Sequence, residues 1–416
     1  MKHTRPDGFY GSMLAAESIL DGTTILHGPG GCRGFASSLS SRYVPREFTS
    51  VEGEFFFHRS RIPCTYVDPD DYIYGASGKV GMILDLLKDK DTRFAVVLES
   101  PGASLIGDKL QDEIISSGMS EKTVLLGKCL MSESYGKGYD HTLCAIARKL
   151  AVKQEKYKGK VNLVGLPFTA KGCFPLVREL HRLLSMMGLE VIADIGMACT
   201  IDQMRESSSA CANVCICPEY FAETGEYYES IGVPLVRGPL GAPLGYEAMA
   251  AWVKAIAEAT GADPAPVLRF LEEEEHDVFR TVQGSLQAGE IAYFRSFSVL
   301  AEPSIVLPLL LYMVRKIRMV PDCIELTEKD GIYESQIREI LQRMGVPEVL
   351  GKEFGTEFAD VAFGPGGMVE CLQQKGMCST AVDIAIPSRA YFDIAPKSIL
   401  GPDGCRRITE YVLNTR

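Results

Sequence analysis

Thr23-Thr-Ile-Leu-His27-Gly28-Pro29-Gly30-Gly31-Cys32 reads as a β-strand, Thr23 to Leu26, that runs directly into a turn made of three glycines and a proline. Such a turn reverses tightly and carries a thiol to the end of the strand. Ligands of open parallel sheets collect outside the carboxyl ends of the strands, so a cysteine delivered there is a candidate for chemistry. Glycines beside a metal-ligating cysteine also leave backbone N–H groups to donate to cluster sulfurs. That gives Gly28, Gly30 and Gly31 a candidate cofactor-binding role and Cys32 a metal-ligating one. The competing reading is a plain turn with an inert thiol.

Outward from this stretch, short β-rich runs ending in Gly, Pro or Asp alternate with helical patterns, as in parallel sheets with crossover helices. Three blocks of strands emerge. The first holds Thr23 to Leu26, Phe94 to Leu98 and Thr123 to Leu126, and the second holds Val161 to Val164, Glu190 to Ala193 and Asn213 to Cys217. The third holds Phe297 to Ala301, Cys323 to Leu326, Asp360 to Phe363 and Val382 to Ile386. Helical spacing marks Phe174 to Met187 and Tyr246 to Ala259, and Asp263-Pro264 opens a further helix in which Glu272 to Glu275 reads as a late, solvated face. The expected fold is α/β, with three Rossmann-like domains at 1–157, 158–285 and 286–416, each a mainly parallel sheet flanked by helices. A length of 416 residues suits roughly three domains.

Hydrophobic residues at 46% and charged residues at 23% are ordinary for a globular protein. With 43 basic against 54 acidic side chains the net charge is −11 and no Lys/Arg block stands out, so nucleic-acid binding is not expected. A partner with a basic docking face is easier to accommodate. The polar stretch Met1 to Gly11 has no apolar signal core, and Ile305 to Val314 is too short to span a membrane, which needs roughly 18 to 20 residues. A cytoplasmic protein without a membrane segment is expected. Thirteen cysteines in a reducing compartment point to metal or redox chemistry more than to disulfides, although any one of them serves equally as a small buried hydrophobe.

Cys64, after Ile62-Pro63 and before the acidic turn Asp68-Pro69-Asp70-Asp71, is the second candidate metal ligand. Two cysteines cannot complete a four-ligand site, but two from each chain of a two-fold dimer can hold a cubane. Cys199, Cys211, Cys215 and Cys217 suggest a zinc site, yet Cys211 and Cys217 lie roughly 20 Å apart along an extended strand. Cys217, followed by Pro218 at the strand's carboxyl end, is the member placed for ligand or catalytic work, with core packing as its alternative. Phosphate-cradling G-x-x-x-x-G-K-[ST] is absent, as are G-x-S-x-G, H-E-x-x-H and any C-x-x-C pair. His141 reads as a packing residue beside a helix.

His27-Gly-Pro-Gly-Gly-Cys32, Asp70-Asp-Tyr-Ile-Tyr-Gly-Ala76, Ile106-Gly-Asp-Lys-Leu110 and Gly138-Tyr-Asp140, in that order, resemble the first domain of nitrogenase component 1 and its relatives. Gly232-Val-Pro234 with Gly238-Pro239, then Ile386-Pro387 and Gly401-Pro-Asp-Gly404, are similar to the same family's second and third domains, so the resemblance spans the chain. It implies a protein that accepts electrons from a homodimeric, ATP-dependent iron–sulfur reductase and passes them through a cluster at a subunit interface. Cys32 matches a cluster-ligating cysteine of the family. A further ligand position is Pro101 and the early one falls near Asp7, so the resemblance implies no eight-iron cluster here. That leaves a 4Fe-4S cluster held by Cys32 from two chains of a homodimer, or of a heterodimer with a paralogue, with either Cys64, a position outside the family's usual ligand set, or Asp7 completing the ligation.

Cys217 aligns within one residue with the cysteine at one end of the family's active-site metallocluster. The histidine expected at the other end is missing from Arg389-Ala390-Tyr391-Phe392. Dinitrogen reduction is therefore not expected. The resemblance implies reduction of an organic small molecule, as by the tetrapyrrole reductases or the nickel-tetrapyrrole reductive cyclase, with a second metallocluster or a tetrapyrrole as further cofactor. Cys217 would then donate a proton or ligate the substrate's metal, Tyr391 would be a second donor, and Arg389 would hold a substrate carboxylate or form an exposed ion pair. The cavity for this chemistry is expected to be bounded by Cys217, Ala301 and Ile386. Two other readings stay open: a scaffold on which a metallocluster is assembled and handed on, and a metal-free α/β ligand-binding protein.

Overall fold

The computed structural model describes residues 6–43, 62–127, 130–287, 295–328, 331–390 and 393–415. Three parallel sheets flanked by helices carry the chain. The first has the order β1-β2-β3, with β1 Thr23–His27, β2 Ala95–Glu99 and β3 Thr123–Leu126. The second is ordered β5-β4-β6-β7, with β4 Tyr157–Val164, β5 Glu190–Asp194, β6 Ala210–Cys215 and β7 Leu235–Val236. In the third, ordered β11-β10-β8-β9, β8 is Ser296–Ala301, β9 Val320–Leu326, β10 Ala359–Gly364 and β11 Cys378–Asp383. Ala95-Val-Val-Leu98 is buried residue by residue rather than alternately, the signature of a strand covered on both faces.

The chain forms two compact units. One comprises 1–156, 192–209 and 220–233, the other 157–191, 210–219 and 234–416. In the first unit Ile25, Ala95 and Val97 of the sheet pack with Val80, Leu84 and Leu87 of the helix Ser77–Asp89 and Leu110 and Ile114 of the helix Leu110–Ser116. The helices Gly8–Glu17 and Tyr135–Leu150 cross so closely that a Cβ on Gly138 would stand 1.9 Å from the Gly8 carbonyl oxygen. Only glycine permits that approach. In the second unit Leu300 and Ala362 pack with Val369 of the helix Gly366–Gln374, and Trp252 of the helix Tyr246–Thr260 donates through Nε1 to the Cys215 carbonyl at 2.9 Å.

Several edges differ from the sequence expectation. β6 begins at Ala210 and ends at Cys215, two residues before Cys217. The last strand is Cys378–Asp383 rather than Val382 to Ile386. Asp383 accepts from the backbone of Ala385, so the apolar Ile384 to Ile386 lies in a turn and the more polar Cys378-Ser-Thr-Ala pairs with β10. Glu272 to Glu275 sits mid-helix, since the helix runs Ala265–Gln287, and only Glu272 and Glu273 are fully solvated. Glu274 pairs with Arg406 and Glu275 with Lys316. Among the described residues no helix is long and apolar enough to cross a membrane.

Candidate functional site

Beyond β1 the chain makes the expected turn, and the helix Gly31–Tyr43 starts immediately, placing the half-exposed Cys32 in its first turn. Residues 63–67 lie alongside this turn as an added strand. Leu26 N donates to the Pro63 carbonyl at 2.9 Å, Thr65 N to the Leu26 carbonyl at 3.1 Å, and Val67 N to the Gly28 carbonyl at 3.1 Å. Leu26 and Cys64 form a parallel bridge, which sets Cys64 beside the glycine turn. The Cys64 thiol donates to the Gly28 carbonyl at 3.1 Å, and Tyr66 N points at its sulfur at 3.5 Å.

Burial pushes both thiols up from their ordinary value. At Cys64 the Tyr66 N–H and the Arg33 guanidinium oppose that shift, while Cys32 adds to it, so the two sulfurs sit within electrostatic reach of each other. The structure thus brings the two predicted ligands together at one sheet edge. It gives the glycines distinct roles. A Cβ at Gly28 would stand 2.3 Å from Ser100 Oγ and one at Gly30 2.7 Å from the Tyr66 ring, while Gly31 faces open space. The Gly28 N–H already donates to Thr65 Oγ1 at 2.9 Å, which commits it to holding the Cys64 segment.

His27 ties the quoted motifs together. Its Nδ1 lies 3.1 Å from Thr65 Oγ1 and its Nε2 2.9 Å from Asp108 Oδ2, and Asp108 in turn accepts from Ala76 N. These positions stand in the sequence motifs without an assigned role, and their meeting is visible only in three dimensions. Asp7 caps the helix Gly8–Glu17 by accepting from Tyr10 N, and His141 pairs with Glu223 at 3.0 Å. The donor set at the edge, two free cysteines beside the same glycine turn, is of the kind that holds one half of a thiolate-bound iron–sulfur cluster.

In the second unit Cys217 is 0% exposed. Burial drives its thiol well up, and the neighbouring Glu219 and Glu302 add to the effect while the Ser304 hydroxyl opposes it. Glu219 accepts from Ser304 N at 2.8 Å and Ser304 Oγ at 2.7 Å, at the start of the helix Pro303–Tyr312. A narrow cleft with a cavity volume of about 20 Å³ opens at the carboxyl ends of strands in this unit, walled by Leu166, Leu176, Ile305, Ile384 and Ile386 with Lys171 and Asp383 as its charges. Lys171 Nζ lies 3.3 Å from Asp383 and 3.2 Å from Asp393. Of the three residues expected to bound a cavity, Ile386 lines this cleft, whereas Cys217 and Ala301 are buried outside its wall. Arg389 is exposed, and Tyr391 falls outside the described residues.

The chain is an α/β protein of three parallel sheets, with Cys32 and Cys64 beside the turn at the carboxyl end of β1. The profile of the nitrogenase component 1 type oxidoreductases matches residues 8–415, and the chain belongs to that family. It is 25% identical over 248 residues to the B-subunit of light-independent protochlorophyllide reductase from Synechococcus sp. (strain CC9311), a match covering 54% of this chain and 44% of that protein. The corresponding protein of Parasynechococcus marenigrum (strain WH8102) is 24% identical over 278 residues, covering 61% and 49%. The chain thus spans about half the length of these relatives, and a quarter of the Heliobacterium modesticaldum counterpart, to which it is 27% identical over 132 residues. A solved structure of nitrogenase Cp1 superimposes with a TM-score of 0.77 at 14% identity, covering 100% of this chain and 94% of that one, which establishes the shared fold.

Proposed function

We propose that this chain is a nitrogenase-like catalytic component, working in the cytoplasm, that receives low-potential electrons from an ATP-dependent, homodimeric iron–sulfur reductase and reduces an organic small molecule. The observation that carries this reading is the convergence of Cys32 and Cys64 at the edge beyond β1, two thiols where a cubane needs four. A second copy of the chain, or a paralogue, supplies the other two. A 4Fe-4S cluster held there would supply one-electron storage at low potential. The protein groups around it divide the work: the two sulfurs anchor, the Tyr66 N–H donates toward Cys64, and the Gly28 and Thr65 bonds keep the anchoring loop in place. The absence of a phosphate-cradling motif fits a division of labour in which a partner hydrolyses ATP.

The three sheets would belong to Rossmann-like domains at 1–157, 158–285 and 286–416. The Lys171 cleft holds little more than a water, so an organic substrate would need a wider site than this cleft offers. Arg389 is retained as a candidate carboxylate partner, while the sealed Cys217 has no open path to a bound molecule. Dinitrogen is not the expected substrate, because the family's metallocluster histidine has no counterpart in 389–392.

Iron and acid-labile sulfide in anaerobically purified protein test the reading. Wild type should carry both, and Cys32→Ala and Cys64→Ala should each lose them. A full complement of iron in Cys32→Ala sinks the proposal, as does stoichiometric ATP binding by the isolated chain.

A further inference from the structure

Arg33 follows the first candidate ligand directly, yet it is 7% exposed rather than solvated. A buried guanidinium at the rim of a sheet needs partners that repay its lost hydration. It finds them on the segment that carries Cys64. Nη1 donates to the Ile62 carbonyl at 2.8 Å, Nη2 donates to the Tyr66 hydroxyl, and the guanidinium carbon lies 4.8 Å from the centre of the Tyr66 ring. The two arms grip the segment on either side of Cys64. On the other side of the tyrosine, the ring leaves no room for a side chain at Gly30. Tyr66 itself has φ of +49°, a left-handed conformation costly for a bulky residue and maintained only where the surroundings over-determine it.

We propose that Arg33 is a positioning residue that clamps residues 62–66 onto the first turn of the helix Gly31–Tyr43, presenting Cys64 to the turn that carries Cys32 before any metal is bound and placing a fixed positive charge beside Cys64. The inference deepens the proposed function and rests on its assignment of Cys32 and Cys64 as ligands. The planar fork is essential to it: a lysine keeps the charge but cannot bond the Ile62 carbonyl and the Tyr66 hydroxyl together while stacking on the ring. The charge has a separate effect. A cation beside Cys64 favours the more negative, reduced state of any cluster held there, so its removal moves the midpoint potential to more negative values.

The experiment has two readouts, and the first needs no metal. In apoprotein, a short bifunctional thiol reagent such as dibromobimane is applied and the bridged Cys32–Cys64 peptide is quantified by mass spectrometry. Wild type should bridge, and Arg33→Met should bridge about tenfold more slowly, the factor carried by one charge-assisted hydrogen bond. Arg33→Lys should also bridge slowly. In reconstituted protein, Arg33→Met should show a more negative midpoint potential and Arg33→Lys a potential near wild type. Wild-type bridging in both variants overturns the clamp, and an unchanged potential in Arg33→Met overturns its electrostatic part. If Arg33→Met fails to fold, as judged by thermal melting, the bridging rate of Arg33→Lys decides. Wild-type protein that binds no iron but bridges in an Arg33-dependent way refutes the cluster assignment while leaving the clamp intact.

Discussion

Two side chains of the second unit show how burial, as the leading effect, sets chemistry at the residue scale. Cys217 is sealed and its thiol is pushed well up, so at neutral pH it is a protonated group out of contact with water. Alkylation of the folded, metal-free protein with iodoacetamide should therefore modify the half-exposed Cys32, Cys211 and Cys371 while sparing Cys217, with mass spectrometry reading the sites. Rapid labelling of Cys217 would contradict this burial. Glu219 is the second case: burial raises its carboxyl from 4.5 to about 7, against the pull of the Ser304 donors. Between those values the folded chain holds a proton that the unfolded chain has released. Stability is thus greatest at low pH and declines as pH rises through the window, by up to ~3 kcal/mol for a shift of this size. Glu219→Gln keeps an acceptor for Ser304 N and carries no charge. Urea unfolding should therefore show the variant gaining on wild type between pH 5 and pH 8, and an equal difference at both pH values would refute the assignment.

At the scale of elements, Asp140 joins the helix Tyr135–Leu150 to the helix Ala222–Ser230 within the first unit. Its carboxylate accepts from Glu223 N at 2.7 Å, Thr224 N at 3.0 Å and Thr224 Oγ1 at 2.6 Å, capping a helix start that has no side-chain cap of its own. Asp140→Ala should cost about 3 kcal/mol, because it strands buried donors, and should lower the melting temperature without reducing iron content. Iron loss in a folded Asp140→Ala would instead give the motif Gly138-Tyr-Asp140 a part in the cluster edge. The same scale shows where sequence reading succeeds. Strands such as Ala95–Glu99 are legible because burial on both faces writes a continuous apolar run, whereas β11 is not, since Cys378-Ser-Thr-Ala pairs through its backbone and lacks that run. β7 is two residues long and carries no pattern. Cys32 is legible from its glycine turn. The partnership with Cys64 is only suggested, because the Leu26–Cys64 bridge that creates it is a long-range contact without local periodicity. Arg33 is beyond reach of sequence reading, since nothing near it announces that the Ile62 carbonyl and Tyr66 hydroxyl will face it.

For the whole molecule, the decisive quantity is iron per chain. Ile73, Tyr74 and Leu105 belong to the same unit as Cys32 and are 73%, 85% and 86% exposed, apolar side chains of the kind an association between copies buries. The net charge of −11 opposes self-association at long range, so the contact should strengthen with salt, as screening shortens the reach of repulsion while apolar burial persists. One cubane shared by two chains amounts to roughly two irons per chain. Native mass spectrometry of the anaerobic protein, read beside iron analysis, should give a dimer with that content, and Cys32→Ala should give iron-free chains. A monomer retaining four irons would show that one chain suffices and would dismiss the shared site. A dimer with iron well beyond one cubane would point instead to a second metallocluster, and would favour assembly and transfer of such a cluster over reduction of an organic molecule.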